Sequence, residues 1–252
     1  MDTWASSTSS ESGTRTRASS TATGTRIEHI VWDWNGTLFD DQPLVTRATN
    51  ASLVAVGCAA LEAAQYQELY RRPLQDFYQA MVGRAFSAAE WELVEDAFSA
   101  TYTAGMHTCG LAADALTAMD GWAPRSQSLL SMYDHDKLLP LVETLGLAAR
   151  LARVDGRPPA LDYGPKAKYL IAHLTRLQAE HPGLEPAGVA LVGDCVDDAL
   201  AALEVGATAV LYTGGSSSRR NLMAAGLGLP VVDSLTEAVA LLRDGRAAPS
   251  AS

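Results

Sequence analysis

The 252-residue chain is short of cysteine, of aromatic residues and of positive charge: three Cys, 7% aromatics, and 19 Lys and Arg against 29 Asp and Glu. Cys58, Cys109 and Cys195 are widely spaced and form no CxxC pair, so neither a zinc site nor a dithiol redox motif is encoded, and a cytoplasmic location is expected. The formal charge of −10 excludes a surface that tracks a nucleic acid polymer, since such binding rests on clustered Lys and Arg. No apolar run approaches the ~18 residues of a membrane-spanning helix, so no membrane association is expected. What remains is a globular composition, 48% hydrophobic and 19% charged, in a chain long enough to bury a full core.

Residues 1–26 are rich in Ser, Thr, Gly and Arg and almost free of large apolar side chains, which predicts a disordered tail; 246–252 form a second one. Arg15 and Arg17 are followed by no apolar stretch, so no secretory signal is expected here, and a solvated tail is favoured over a transit peptide. The acidity belongs to the body: residues 27–252 hold 16 basic and 27 acidic residues.

Residues 27–32 form a β-branched and aromatic run that stops at Asp33-Trp34-Asn35-Gly36-Thr37, which reads as a buried strand delivering a polar loop. Similar segments occur at 128–132, 152–154, 189–192 and 209–212, with a shorter one at 231–232. Helical patterns fall between them at 137–145, 166–178, 197–204 and 235–242. Alternating strands and helices predict a parallel sheet with helices on both faces, an α/β Rossmann-like core over 27–41 and 122–245. Residues 42–121 lack a convincing strand and carry apolar positions at helical spacing, which predicts an inserted α-helical cap of about four helices.

In open α/β sheets a ligand sits beyond the carboxyl ends of the strands. The polar residues at those ends are Asp33, Ser131 and Asp194, with Asp197 and Asp198 just beyond. Several carboxylates converging on one crevice repel each other unless a cation lies between them, and an all-oxygen donor set suits Mg²⁺. A carboxylate held there can also attack phosphorus.

Four segments in order, Asp33 to Leu38 after an apolar strand, Ser131 after Leu129-Leu130, the Lys of Gly164-Pro165-Lys166-Ala167-Lys168, and Gly193 to Asp198, resemble the motifs of the haloacid dehalogenase (HAD) superfamily. The resemblance extends over roughly 27–243 and implies a role for each position. Asp33 is then the nucleophile and a Mg²⁺ ligand, and the Asn35 backbone carbonyl is a second ligand. Ser131 holds a phosphoryl oxygen, with Gly36 and Thr37 in the phosphate-binding loop. Lys166 neutralises charge on Asp33 and the phosphoryl group. Asp194 binds the metal, directly or through water, with Asp198 orienting that shell.

One position departs from the phosphatase pattern. Most phosphatases of the superfamily carry Asp two residues after the nucleophile as acid and base, and here that residue is Asn35, whose amide exchanges no proton. Three readings stay open: a phosphatase tolerating Asn because its leaving group is good or another group helps, a phosphonate or carbon–halogen hydrolase, or a non-catalytic binding protein. Lys168 is the alternative to Lys166. His135 is a minor candidate to replace the missing acid, Asp40 and Asp41 read as a flexible connection, Cys195 as a small filler, and Trp34 as packing on substrate or cap. Gly214 to Ser218 reads as a flexible loop near the site, and Arg47, Arg71, Arg72 and Arg84 as candidates to hold a substrate anion. The expected protein is a Mg²⁺-dependent phosphatase of a small phosphorylated metabolite, with a homodimer as an open possibility.

Overall fold

The computed structural model describes residues 26–158 and 164–246, so the tails predicted at 1–26 and 246–252 lie, apart from Arg26 and Arg246, outside the described residues. The chain runs β1 (His29–Trp32), β2 (Phe39–Asp40), α1 (Gln42–Ala55), α2 (Ala63–Leu69), α3 (Leu74–Val82), α4 (Ala88–Gly105), β3 (Gly110–Leu111) and α5 (Ala115–Trp122). It continues through β4 (Ser126–Asp134), α6 (His135–Thr144), β5 (Val154–Arg157), α7 (Lys166–Glu180), β6 (Val189–Gly193), α8 (Val196–Glu204), β7 (Thr208–Tyr212), α9 (Arg219–Ala224), β8 (Val231–Val232) and α10 (Leu235–Arg243). Six strands form one sheet in the order β5-β4-β1-β6-β7-β8. Every pair in it is parallel.

Side-chain alternation along β1 explains the two faces. Ile30 and Trp32 point into a cluster with α5, α6 and α10, through Met119, Trp122, Leu138, Val142, Leu235 and Val239. Val31 points into the opposite cluster with Leu170, Leu174 and Leu177 of α7, Ala199 and Ala202 of α8, and Leu222 of α9. The fold class expected from the sequence is therefore the one observed.

Two strands differ from expectation for one reason. β4 runs beyond 128–132 to Ser126–Asp134 because its polar positions find partners: Gln127 accepts from Trp32 Nε1 at 2.8 Å and donates to the Met119 carbonyl at 3.2 Å. β5 lies at Val154–Arg157 rather than 152–154, with Asp155 bonded to His173 and Arg157 paired with Asp134. Polar residues satisfied in place extend a strand that hydrophobic patterning ends too early.

Between β1 and β4 the chain builds the helices α1 to α4, with their own aromatic core of Tyr66, Phe77 and Tyr78 packed with Leu53 and Val94. A strand that the sequence did not announce, β3, pairs antiparallel with β2 where the chain enters and leaves this segment, Phe39 opposite Leu111 and Asp40 opposite Gly110. α5 packs with α10 on the main sheet. Among the described residues no helix is long and apolar enough to cross a membrane.

Candidate active site

The Asp33 amide donates to the Val192 carbonyl at 2.9 Å, continuing the β1–β6 ladder to the point where the loop begins. The next residues turn tightly: Phe39 N and Thr37 N both donate to the Trp34 carbonyl, and Gly36 adopts a φ of 72°. Glycine is required there twice over, by that left-handed backbone and because a Cβ would run into Asp194 Oδ2. Trp34 is fully buried in the core and stacks on Phe39 with ring centroids 4.9 Å apart.

The strand ends bring the expected residues together. The Lys166 ammonium, at the first turn of α7, contacts both Asp33 Oδ1 and Asp198 Oδ1. It is 2% exposed, whereas Lys168 lies on the outer side of α7 over the Tyr169 ring. Thr37 Oγ1 donates to Asp33 Oδ2 at 3.3 Å. Asp198 has both carboxylate oxygens engaged, since its Oδ2 accepts the amides of Asp194 and Cys195, each at 3.1 Å, and the Cys195 thiol. Cys195 is thus a hydrogen-bonding N-cap of α8 and more than a filler. Ser131 Oγ accepts from the Tyr133 amide at 2.9 Å and donates toward Asn35 Oδ1 at 3.4 Å.

Charge is the dominant property of this crevice. Asp33, Asp194 and Asp198 are all buried, and among the described residues Lys166 is the one buried ammonium that faces them. Burial pushes the Asp33 carboxyl up to about 6 against the pull of Lys166. Burial, and then the neighbouring Asp33 and Asp198, hold the Asp194 carboxyl well above its ordinary range. Burial acts the same way on Asp198, but Lys166 and the donated hydrogen bonds outweigh it and keep that carboxyl low. Three buried carboxylates against one ammonium leave a negative excess that a divalent cation would offset. Oxygen donors on strand-end loops, packed so closely that neither Gly36 nor Gly215 can carry a side chain beside Asp194, fit a small hard cation such as Mg²⁺.

Two expectations are corrected. Asp41 is no flexible connection: it is 1% exposed, with Oδ1 accepting from Gly36 N at 2.9 Å and Oδ2 accepting from Tyr102 Oη at 2.6 Å and from Asn35 Nδ2 at 2.7 Å. It occupies the N-cap position of α1, yet its side chain makes no capping bond and turns back onto the loop after β1. An Asp before a helix reads from sequence as a cap or solvated residue, and Tyr102 carries no signal at all within α4. The segment Gly214 to Ser218 is likewise no loose loop. Ser216 N donates to Asp194 Oδ2, and Gly215 O accepts from Gln67 Nε2 at 2.8 Å.

The α2 helix docks on the same segment. Asn221 Nδ2 donates to the carbonyls of Gln67 and Glu68 at 2.9 and 2.7 Å, and Ser218 N donates to Gln67 O. Tyr66 is buried beside this segment, and burial, with Asp194 among the neighbouring charges, raises its pKa well above the ordinary tyrosine value. Of the four arginine candidates, Arg72 is the half-buried one, and the neighbouring Tyr70, Cys195 and Asp197 raise its pKa. Arg84 pairs with Glu90 and Arg71 bonds the Leu69 carbonyl, both exposed, and Arg47 is exposed. His135 Nδ1 accepts from the Gly156 amide at 3.0 Å and is committed to β5.

A parallel sheet in this order, with acidic residues at the ends of β1 and β6 and a lysine at the start of α7, defines the haloacid dehalogenase-like fold. Residues 165–238 match the family model described as HAD-hydrolase-like. No curated protein matches the sequence. Among solved structures, an HAD-like family hydrolase from Streptococcus pneumoniae superposes with a TM-score of 0.69 at 18% identity, covering 85% of this chain and 97% of that one. A predicted phosphatase from Clostridium acetobutylicum gives 0.69 at 17%, covering 87% and 99%. A predicted phosphoglycolate phosphatase from Haemophilus somnus gives 0.65 at 16%, covering 85% and 97%. The resemblance read from the four motifs is thus a likeness of the whole fold, with a sequence match over 165–238.

Proposed function

We propose that the protein is a Mg²⁺-dependent phosphatase that hydrolyses a small-molecule phosphate monoester through an aspartyl-phosphate on Asp33. The observation that carries this reading is the convergence of Asp33, Asp194 and Asp198 around a single buried Lys166. Two neighbours in fold bear phosphatase names, which supports the same class.

In this reading Asp33, the Asn35 carbonyl and Asp194 hold the cation, which supplies charge stabilisation of the transferring phosphoryl group. Asp198 serves that site by fixing the Asp194 and Cys195 amides and the Lys166 ammonium. Lys166 keeps Asp33 ionised and aligned for attack, and its charge offsets that of the phosphoryl oxygens. Ser131 Oγ, which accepts from Tyr133 N, can turn its proton from Asn35 Oδ1 to a phosphoryl oxygen. The helices α1 to α4 act as a cap whose docking through α2 excludes water from the first step. Asp33→Asn should abolish turnover of p-nitrophenyl phosphate, and chelation should stop the wild type until Mg²⁺ is restored. Turnover that survives Asp33→Asn sinks the proposal.

A further inference from the structure

We propose that Asp41 and Tyr102 lock the Asn35 side-chain amide with its N–H group turned away from the phosphoryl site and its carbonyl turned toward Ser131, which makes the enzyme selective for phosphate esters whose leaving group departs without a proton. Those are aryl, enol and acyl phosphates. The inference rests on the phosphatase reading above and adds the substrate class.

The amide orientation is fixed by chemistry. Asp41 Oδ2 accepts from both Tyr102 Oη and Asn35 Nδ2, Asp41 Oδ1 accepts from Gly36 N, and Tyr102 Oη accepts a second bond from Asn35 Nδ2 at 2.9 Å. Turning the amide over would set its carbonyl against the Asp41 carboxylate and take from Asp41 and Tyr102 the donor they share. Both amide hydrogens are therefore spent on the Asp41–Tyr102 side, and Oδ1 lies 3.4 Å from Ser131 Oγ. Toward a bound ester Asn35 offers an acceptor only. An acceptor gives nothing to the bridging oxygen of a departing alcohol, whereas it can receive a hydrogen bond from an attacking water.

The two steps balance on that basis. In the first, Asp33 forms its O–P bond as the ester O–P bond breaks, and the leaving group takes the electron pair away as aryloxide, enolate or carboxylate. In the second, water attacks phosphorus with one O–H held by Asn35 Oδ1, the Asp33–P bond breaks, and the carboxylate is released together with dihydrogen phosphate, which retains both water protons. Asp41 and Tyr102 are positioning residues in this scheme, and Tyr102 contributes from α4.

The test is kcat/KM across aryl phosphates from dinitrophenyl to phenyl, with acetyl phosphate and the alkyl ester phosphoglycolate. Wild type should fall by about 10²-fold or more from the best aryl to the alkyl ester, the scale of a missing general acid, and Asn35→Asp should flatten that slope. Tyr102→Phe should lower kcat for an aryl ester severalfold at an unchanged slope. A wild-type slope that is flat while turnover depends on Asp33 overturns the inference and leaves the phosphatase reading standing. Unchanged kcat in Tyr102→Phe overturns the positioning role. Absence of Asp33-dependent turnover on every ester is instead the failure of the phosphatase reading.

Discussion

His173 Nδ1 lies 2.7 Å from the Asp155 carboxylate, and this contact sets the protons along a four-residue chain inside the sheet. With Nδ1–H donated to Asp155, His173 Nε2 accepts from Ser128 Oγ at 2.7 Å, and Ser128 Oγ in turn accepts from His29 Nε2–H at 2.7 Å. His29 Nδ1 is left as a bare acceptor, buried and without a partner among the described residues. The order Asp-His-Ser is that of a hydrolytic triad, but Ser128 and His173 are fully buried, so the chain ties β1, β4, β5 and α7 together and meets no substrate.

That chain predicts a pH dependence of stability. Burial, then the nearby His173 and His181, push the His29 pKa down to about 3, and burial also lowers His173 against the pull of Asp155. The folded state keeps both rings neutral, while the unfolded chain takes up protons below about pH 6.5. Stability from these groups is therefore fully present above that pH and declines as pH falls, by up to about 1.4 kcal/mol per unit for each ring. The raised Asp33 and Asp194 act in the opposite sense, so the measurement is the difference in Tm between wild type and His29→Gln from pH 7.5 to 5. That difference should shrink on acidification; a constant difference would show that His29 titrates normally in the fold.

The chain also marks the boundary of what the sequence made legible. Sheet class, the order of the six main-sheet strands along the chain and the meeting of Asp33, Ser131, Asp194 and Asp198 followed from apolar runs ending in polar loops, because strand ends must converge in a parallel sheet, whereas Lys166, at a helix start, was reached only through the resemblance of the motifs. Strand lengths at β4 and β5 did not, because Gln127 and Asp155 look like loop residues until Trp32 and His173 satisfy them. Asp41 escaped for the same reason, its partners lying 61 residues away at Tyr102 and within the loop after β1. Partner-dependent burial of a polar group has no local pattern.

Gly36→Ala should damage the site beyond its cost in stability. A φ of 72° on a residue with a Cβ costs about 1–2 kcal/mol, and the added carbon must also displace Asp194. Thermal denaturation should register the first effect, and calorimetric Mg²⁺ titration a loss of affinity. A variant that melts early but binds Mg²⁺ as wild type would separate Asp194 from the metal.

Asn221→Ala removes two hydrogen bonds from α9 to the carbonyls at the end of α2, each worth about 0.5–1.5 kcal/mol. Neither main-sheet cluster includes Asn221, so the core stays intact and Tm should fall by no more than the loss of two such bonds accounts for. Backbone amide exchange in α2 should accelerate and KM should rise as the helices open over Asp194. Unaltered exchange would mean that the remaining bonds through Gln67 and Ser216 suffice to hold the cap.

The two lysines at the start of α7 give the sharpest contrast. Lys166 is buried between Asp33 and Asp198, and its pKa is raised because those carboxylates outweigh the penalty of burial. Lys166→Met leaves two buried carboxylates facing each other across an apolar side chain, and breaking a buried pair in this way typically costs about 3–5 kcal/mol. Part of that cost is relieved if Asp33, already pushed up by burial, takes a proton, and a protonated Asp33 is no nucleophile. Lys166→Met should thus lose turnover even below its melting temperature, while added Mg²⁺ restores some stability by replacing the lost positive charge. Lys168→Met, two residues on and exposed, should stay within about 0.5 kcal/mol of wild type with kcat/KM unchanged. Equal losses in the two variants would show that α7 presents its lysines to the site in a different register from the one described.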